Sequence, residues 1–425
     1  ETKKETKKET KKETKKETKK ETKKETKKET KKETKKETKK ETKKETIPKT
    51  PAEKSIKIQI YPTTDQKSTL KKWFGVRRWI YNRCLFIYKE NYKNGIFLNQ
   101  QKLRDMVLKN SNYTNDNKWM LDYEFDLRDE AMRDLLKNIK SNVAKGDKFD
   151  MKFKSKKDTE SISVLGKKWN KKNNFYSSIF KPVNIKSSEV LPTQLKYSSR
   201  LIKTPTKKYY FCIPKPLDMC ENQAPIGSMI FLDPGVKTFM TGYDPSGKIL
   251  TWGDRDIGRI ARLLHYQRKL QSVIKINKHI FSSKKLARMK LANLRIGENI
   301  RNLVDEMHKK LTKWLCENYE NIYLPRLNFH KCKNLNKKSK SKLASLRHCA
   351  FLERLKNKTR EYNSCLVEVN EAFTSKTCSN CGYQKDDLKN KDIYNCDSCK
   401  LIIGRDINAS KNIMLRYFTK RAKIN

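Results

Sequence analysis

The chain has 425 residues, with 100 Lys or Arg against 48 Asp or Glu and a formal net charge of +52. That balance points to a polyanion as partner and says nothing about fold. No apolar run is long enough to span a bilayer and no signal-peptide pattern is present, so neither a membrane nor a secreted protein is expected. Cysteine number is 11, odd and without the spacing of a small secreted domain. This favours a reducing compartment, with metal or core roles for the thiols.

Residues 1–46 are tandem ETKK units ending in a further Glu-Thr. Identical residues recur every fourth position, so like charges face each other on a helix, and nothing apolar is available to bury. A disordered basic tail over 1–50 is expected. SIKIQIY (55–61) alternates strictly and predicts a strand. Trp73, Val76, Ile80, Cys84 and Ile87 then fall at helical spacing, with Arg77, Arg78 and Arg83 between them. These arginines predict a basic outer face, either merely solvated or in contact with phosphates. A second helix is expected from about Asp126, as N-cap, to Val143. SISVLG, PTQLKY and KKYYFCI predict β-structure between 151 and 222, built as a small barrel.

The character changes at Met229. MIFL is a short apolar run that ends in DPG, and it predicts a buried strand with Asp233 at its C-terminal end. A hairpin over KTFMTGYDPSGKILTW and two long amphipathic helices follow. In the second, Ile300, Val304, Met307, Leu311 and Leu315 trace one face. NIYLP (321–325) predicts a strand, 344–363 a helix, CLVEVNE (365–371) a strand, and Arg405 the start of a last helix. KCKNLNKKSKSK (331–342) suggests a mobile basic loop, either a lid or plain surface. Strands alternating with long helices predict an α/β core.

Cys378, Cys381, Cys396 and Cys399 form C-x2-C-x14-C-x2-C. Two close thiolate pairs suit tetrahedral Zn2+, and four cysteines leave no open position, so the expected site is structural. The remaining cysteines are scattered and predict small core residues. The five histidines show no metal spacing. Asp406 opens the last helix, where Ala409 and Ser410 allow close approach to a sheet. Asp233 and Asp406, each at an element end of an α/β core, suggest a carboxylate cluster for Mg2+ acting on phosphodiesters.

Together FLDPGVKTFMTGYDPSG, the segment 298–329, TSKTCSNCG and GRDINASKNI resemble the RuvC-like nuclease of the TnpB proteins, relatives of type V CRISPR effectors. IYPTTDQKSTLKKWFGVRRWIYNRCL and FKSKKDTESISV resemble the family's wedge barrel and recognition helices. The resemblance implies a wedge-type β-barrel over 51–68 and 149–224, with a helical recognition domain inserted over 69–148. It further implies an RNase H-like (RuvC) nuclease domain over 225–425, carrying a zinc ribbon at 376–402. Asp233 would be the first acid of the site and Asp406 the last. The family's usual second acid, a Glu at the end of the strand here reading NIYLP, is replaced by Pro325, and Gly404 stands where relatives often carry an acid. In the eukaryotic and giant-virus branch called Fanzor, an acid just before TSKTC serves instead, and Glu371 matches that position. Strand parity favours Glu371 over Glu368, since Val367, Val369 and Glu371 share a face.

The resemblance implies a Mg2+-dependent DNA endonuclease using two metal ions. It implies a guide RNA encoded beside the gene, double-stranded target DNA with a short adjacent motif, and a monomeric ribonucleoprotein. It also implies action in the nucleus, or in host cytoplasm or a viral factory. Two rival functions share the fold: an RNA-independent transposase or nuclease, and a catalytically inactive RNA-guided DNA-binding protein.

Overall fold

The computed structural model describes residues 54–144, 151–169, 185–221, 223–325, 337–385 and 392–421. The expected ETKK tail and residues 331–336 of the Lys-rich segment lie outside the described residues. From Glu53 onward the chain forms one compact unit. Among the described residues no helix is long and apolar enough to cross a membrane.

Strands β1 (Lys54–Tyr61), β2 (Glu160–Val164), β3 (Lys186–Ser187), β4 (Ser199–Lys203) and β5 (Tyr209–Lys215) make an antiparallel sheet in the order β2-β4-β5-β1-β3. Among the described residues its ladder is open, running from β2 at one edge to β3 at the other. Between β1 and β2 the chain inserts helices α1 (Thr64–Lys93), α2 (Gln100–Val107) and α3 (Phe125–Val143). A capping box between Thr63 and Gln66 starts α1. Its apolar stripe of Trp73, Val76, Ile80 and Cys84 is buried, and one hydrophobic core joins these helices to the sheet.

Three expectations change here. The N-cap of α3 is Glu124, and Asp126 sits in the first turn. PTQLKY is irregular: Leu191 and Leu195 are buried as plugs, the Pro192 carbonyl accepts the Trp169 indole N–H at 2.9 Å, and the strand follows as β4. Arg77 is not on the outer face. It is buried, donating to Asp134 and Ser163, and Asp134 also accepts from Arg200 at 3.0 Å. Arg78 pairs with Glu160, which leaves Arg83 as the exposed member of the trio.

The second sheet has the order β10-β9-β6-β7-β8. Its strands are β6 (Met229–Pro234), β7 (Met240–Tyr243), β8 (Ile249–Trp252), β9 (Asn321–Pro325) and β10 (Cys365–Val369). β6, β7 and β8 are consecutive antiparallel neighbours, and β9 and β10 add in parallel on the other side of β6. Helices α4 (Asp254–Ile276) and α5 (Ser283–Asn318) connect β8 to β9. The expected helix over 344–363 is instead two, α6 (Lys337–Leu346) and α7 (His348–Tyr362), broken at Arg347 with φ 52°. Residues 337–342 of the expected loop are therefore helical.

Alternation gives each sheet face its own cover. Ile230, Leu232, Ile322 and Leu324 pack with Val304, Leu311, Phe351 and Leu355 of α5 and α7. Phe231, Tyr323, Val367 and Val369 pack on the other face against Ile413 and Tyr417 of α8 (Arg405–Arg421). Ala409 and Ser410 of α8 are buried, as their small size predicted. Between β10 and α8 lies a small hairpin of β11 (Ile393–Asn395) and β12 (Ile402–Gly404).

Candidate metal centres

The parallel ladder sets the level of each acid. Phe231 is opposite Tyr323, so Asp233, two residues on, is level with Pro325, which is itself opposite Val369. All three continue the alternation of the face that α8 covers. Asp233 therefore stands at the C-terminal edge of the sheet on the α8 side. Asp406, in the first turn of α8, comes to the same place: its Oδ2 lies 3.7 Å from where a Cβ on Gly235 would be. That Cβ would also fall 2.4 Å from the Thr238 carbonyl oxygen, so the turn after Asp233 needs glycine to close this tightly.

β10 ends at Val369, two residues short of the expected strand, so Glu371 lies just beyond it. Its carbonyl oxygen accepts from the Thr374 hydroxyl at 2.9 Å, in a turn that leads into the ribbon. All three acids are half-buried. Burial pushes the Asp233 carboxyl well above the usual range, the charges of Asp406 and then Glu371 push it further, and Arg405 offsets part of this. Asp406 and Glu371 thus both lie within electrostatic reach of Asp233. Glu368 points the other way, pairing with Lys356 of α7 at 2.9 Å, as parity predicted.

Sequence reasoning missed what fixes the Glu371 segment. Asn408, Asn412 and Arg416 recur at four-residue spacing along α8, and all donate to main-chain carbonyls of residues 372–377. The Arg416 guanidinium reaches the Ala372 oxygen at 2.8 Å. The Asn412 amide reaches those of Thr374 at 2.9 Å and Thr377 at 2.6 Å, and the Asn408 amide that of Thr377 at 2.8 Å. The Asn408 side-chain oxygen also accepts the Ser379 N–H at 2.9 Å, inside the first cysteine pair. Asn408 and Asn412 are buried, so this polar ladder clamps the segment largely away from bulk solvent. Three polar residues at helical spacing on a sheet-facing helix were the available signal.

The cysteines form the second centre. Among the described residues they are the only group of three or more such ligands whose ligand atoms all lie within 4.8 Å of one another, and the three carboxylates are not such a group. The Cys378 and Cys399 sulfurs are 3.6 Å apart, as are those of Cys381 and Cys396. Tetrahedral zinc with Zn–S of about 2.3 Å needs roughly 3.8 Å between sulfurs, so the residues fit the ion. Each knuckle turns at a left-handed residue, Gly382 at φ 76° and Lys400 at φ 60°. The Leu401 N–H leads the interactions that draw the Cys399 thiol down to about 6, while burial pushes Cys378 up to about 11. Tyr394, fully buried, fills the ribbon's own small core.

The other charged candidates resolve as structure. Asp244 accepts from the Tyr319 hydroxyl and the Ser246 N–H. Asp254 and Asp256 lie in the first turn of α4. His308 and His348 are buried around Phe239, and burial pushes both down to about 4.

Comparison with known proteins covers both halves of the chain. Residues 348–413 match the family model described as "Cas12f1-like, TNB domain". Residues 52–96 match one described as a helix-turn-helix domain, although here that stretch forms β1 and a single helix, α1. A TnpB-like protein of Acanthamoeba polyphaga mimivirus is 27% identical over 392 residues, covering 85% of this chain and 72% of the relative. A protein of Escherichia coli named "Putative RNA-guided DNA endonuclease InsQ" is 21% identical, covering 85% and 91%. A solved Cas12f1–sgRNA–target DNA complex aligns at 13% identity and TM-score 0.46 over 85% of this chain and 98% of that one. Over 85% of its length the chain is similar to TnpB-like proteins, and two family models match shorter stretches of it.

Proposed function

We propose that the chain is an RNA-guided DNA endonuclease with a RuvC-like site, formed by Asp233, Glu371 and Asp406 and dependent on Mg2+. The observation that carries this is the convergence of three acids from three separate segments on one sheet edge, their charges bearing on Asp233. Ligands bind at such carboxyl ends of strands in open α/β sheets. Three carboxylates held together raise each other's energy, and a divalent cation relieves it. A carboxylate site acting on phosphodiesters takes a pair of ions about 3.5–4 Å apart. Bound there, Mg2+ would activate water and offset charge developing on the phosphate.

The chain's own contribution is placement. β6 presents Asp233, the first turn of α8 presents Asp406, and the Asn408–Asn412–Arg416 clamp holds the turn that carries Glu371. A strongly basic body holds the polyanion, and base pairing with a guide selects the target, a role supported by the name of the Escherichia coli relative. Structural zinc in the ribbon and magnesium at the acids are the cofactors this reading requires.

The test is Mg2+-dependent cleavage of double-stranded DNA by protein purified with its co-expressed RNA. Asp233→Asn, Glu371→Ala and Asp406→Asn should each lower cutting by at least about 100-fold with RNA retained. Wild-type cutting by Glu371→Ala overturns the assignment of the second acid. One observation favours the inactive DNA-binding alternative, namely Pro325 at the level of Asp233. Wild-type protein that binds target DNA and never cuts it would establish that reading.

A further inference from the structure

Gly75 lies inside α1, where glycine is among the poorest helix formers. No neighbour requires it, since a Cβ there would meet nothing within 4 Å. The space it leaves is the floor of a cavity of about 450 Å³, walled by Arg78, Trp79, Asn82 and Arg83 of α1 and by Trp119. Trp79 and Arg83 also wall an adjoining cavity of about 230 Å³, with Asn112, Tyr113, Thr114 and Asn117 on its far side.

The lining is held in place before any ligand arrives. Asn82 is tied to the Lys154 backbone by its amide at 2.9 Å and its oxygen at 2.8 Å. Arg78 is paired with Glu160. The Trp119 indole N–H donates to the Asp116 carbonyl at 3.1 Å, and its ring meets Tyr123 edge-on at 6.0 Å, yet the residue stays 45% exposed. Arg83 is exposed, lies 5.9 Å from the Phe86 ring centroid, and has no carboxylate paired to it among the described residues. Lys71 and Lys72, both exposed, lie four and three residues before Gly75 and so share its helix face.

Two indoles, an open helix backbone and three cations unpaired among the described residues suit a flat aromatic ligand with a negatively charged chain. We infer that this cavity takes an unstacked nucleobase of a single-stranded nucleic acid, with the neighbouring phosphates on Lys71, Lys72 and Arg83. The groups able to read a base edge, Asn82 and Arg78, are already engaged, so the site stacks bases with little preference among them. The inference uses none of the three carboxylates and stands apart from the nuclease assignment.

The test uses the full chain without magnesium and measures binding of 12-nucleotide DNA and RNA single strands and a DNA duplex across a salt series. Gly75→Leu fills the cavity from open space with a good helix former, and Trp119→Ala removes one stacking face. Each should weaken single-strand binding about tenfold at high salt, leave duplex binding unchanged and leave the salt slope unchanged. Lys71→Ala with Lys72→Ala should lower the single-strand slope by about 1.4. A larger loss with DNA than with RNA, or the reverse, identifies which strand occupies the cavity. Thermal melts of each variant show whether the fold is retained. Wild-type single-strand affinity in both folded cavity variants, or an equal loss with duplex, overturns the proposal.

Discussion

Pro325 occupies the row of the sheet where a ligand to the same site as Asp233 belongs, between Asp233 on β6 and Val369 on β10. Proline brings no ligand atom and no N–H, and at the last residue of β9 the missing donor is tolerated. Glu371 lies two residues further than Val369, about 7 Å along an extended chain, and a turn with a long side chain must recover that distance. If Glu371 substitutes for the missing strand residue, Pro325→Glu should restore part of the cutting lost in Glu371→Ala, about a tenth of wild type or more. Glu368→Ala should cut like wild type, since Glu368 faces Lys356 behind the sheet. A folded Glu371→Ala, Pro325→Glu double variant as inert as Glu371→Ala alone would sink the idea of one shared ligand position.

Within elements, burial decided what periodicity could only suggest. The strand β1 and the stripe on α5 were legible because one apolar face repeats at a fixed period, and β6 because a short apolar run ends in a turn. Arg77 was not, because its partners Asp134 and Ser163 come from α3 and β2, and one helix cannot show that its arginine is internal. Nor was the break at Arg347 legible. A left-handed arginine costs about 1–2 kcal/mol, and ion pairs to Asp305 of α5 from Arg347 at 2.9 Å and from Arg354 of α7 at 3.1 Å hold the break and α7 beside α5. Asp233 and Asp406 could be picked out as acids at element ends, but their meeting required the packing of α8 onto the sheet.

The buried Asp134 gives a direct test. Burial pushes its pKa up, but hydrogen bonds and charges from Arg200 and Arg77 outweigh this and hold it below the usual value. Its contribution is thus complete above the unfolded carboxylate pKa of about 3.9 and is lost as pH falls through the folded value. Asp134→Ala should cost about 3–5 kcal/mol at neutral pH in denaturant melts, because a guanidinium is left buried and unpaired. The gap between variant and wild type should narrow below about pH 3.9.

At the scale of the molecule, the two sheets are joined through carboxylates. Glu361 of α7 accepts from Lys54 at 3.0 Å, and Glu298 of α5 accepts from Tyr210 and pairs with Lys208, both at 3.3 Å. The ribbon is attached differently, through the α8 clamp that also fixes Glu371. Removing zinc with a chelator that spares magnesium should therefore abolish cutting while RNA binding, carried by the basic body, changes little. Equal loss of both would show that the ribbon supports the whole fold and not the site.

The same clamp makes the sulfur chemistry of the ribbon legible to the acids. Oxidation of the two sulfur pairs, each 3.6 Å apart, to disulfides would expel the zinc they fit, and the Asn408 contact at Ser379 would carry that change to the turn bearing Glu371. Mild oxidants would then act as a fuse, leaving a protein that still grips nucleic acid but has lost its edge.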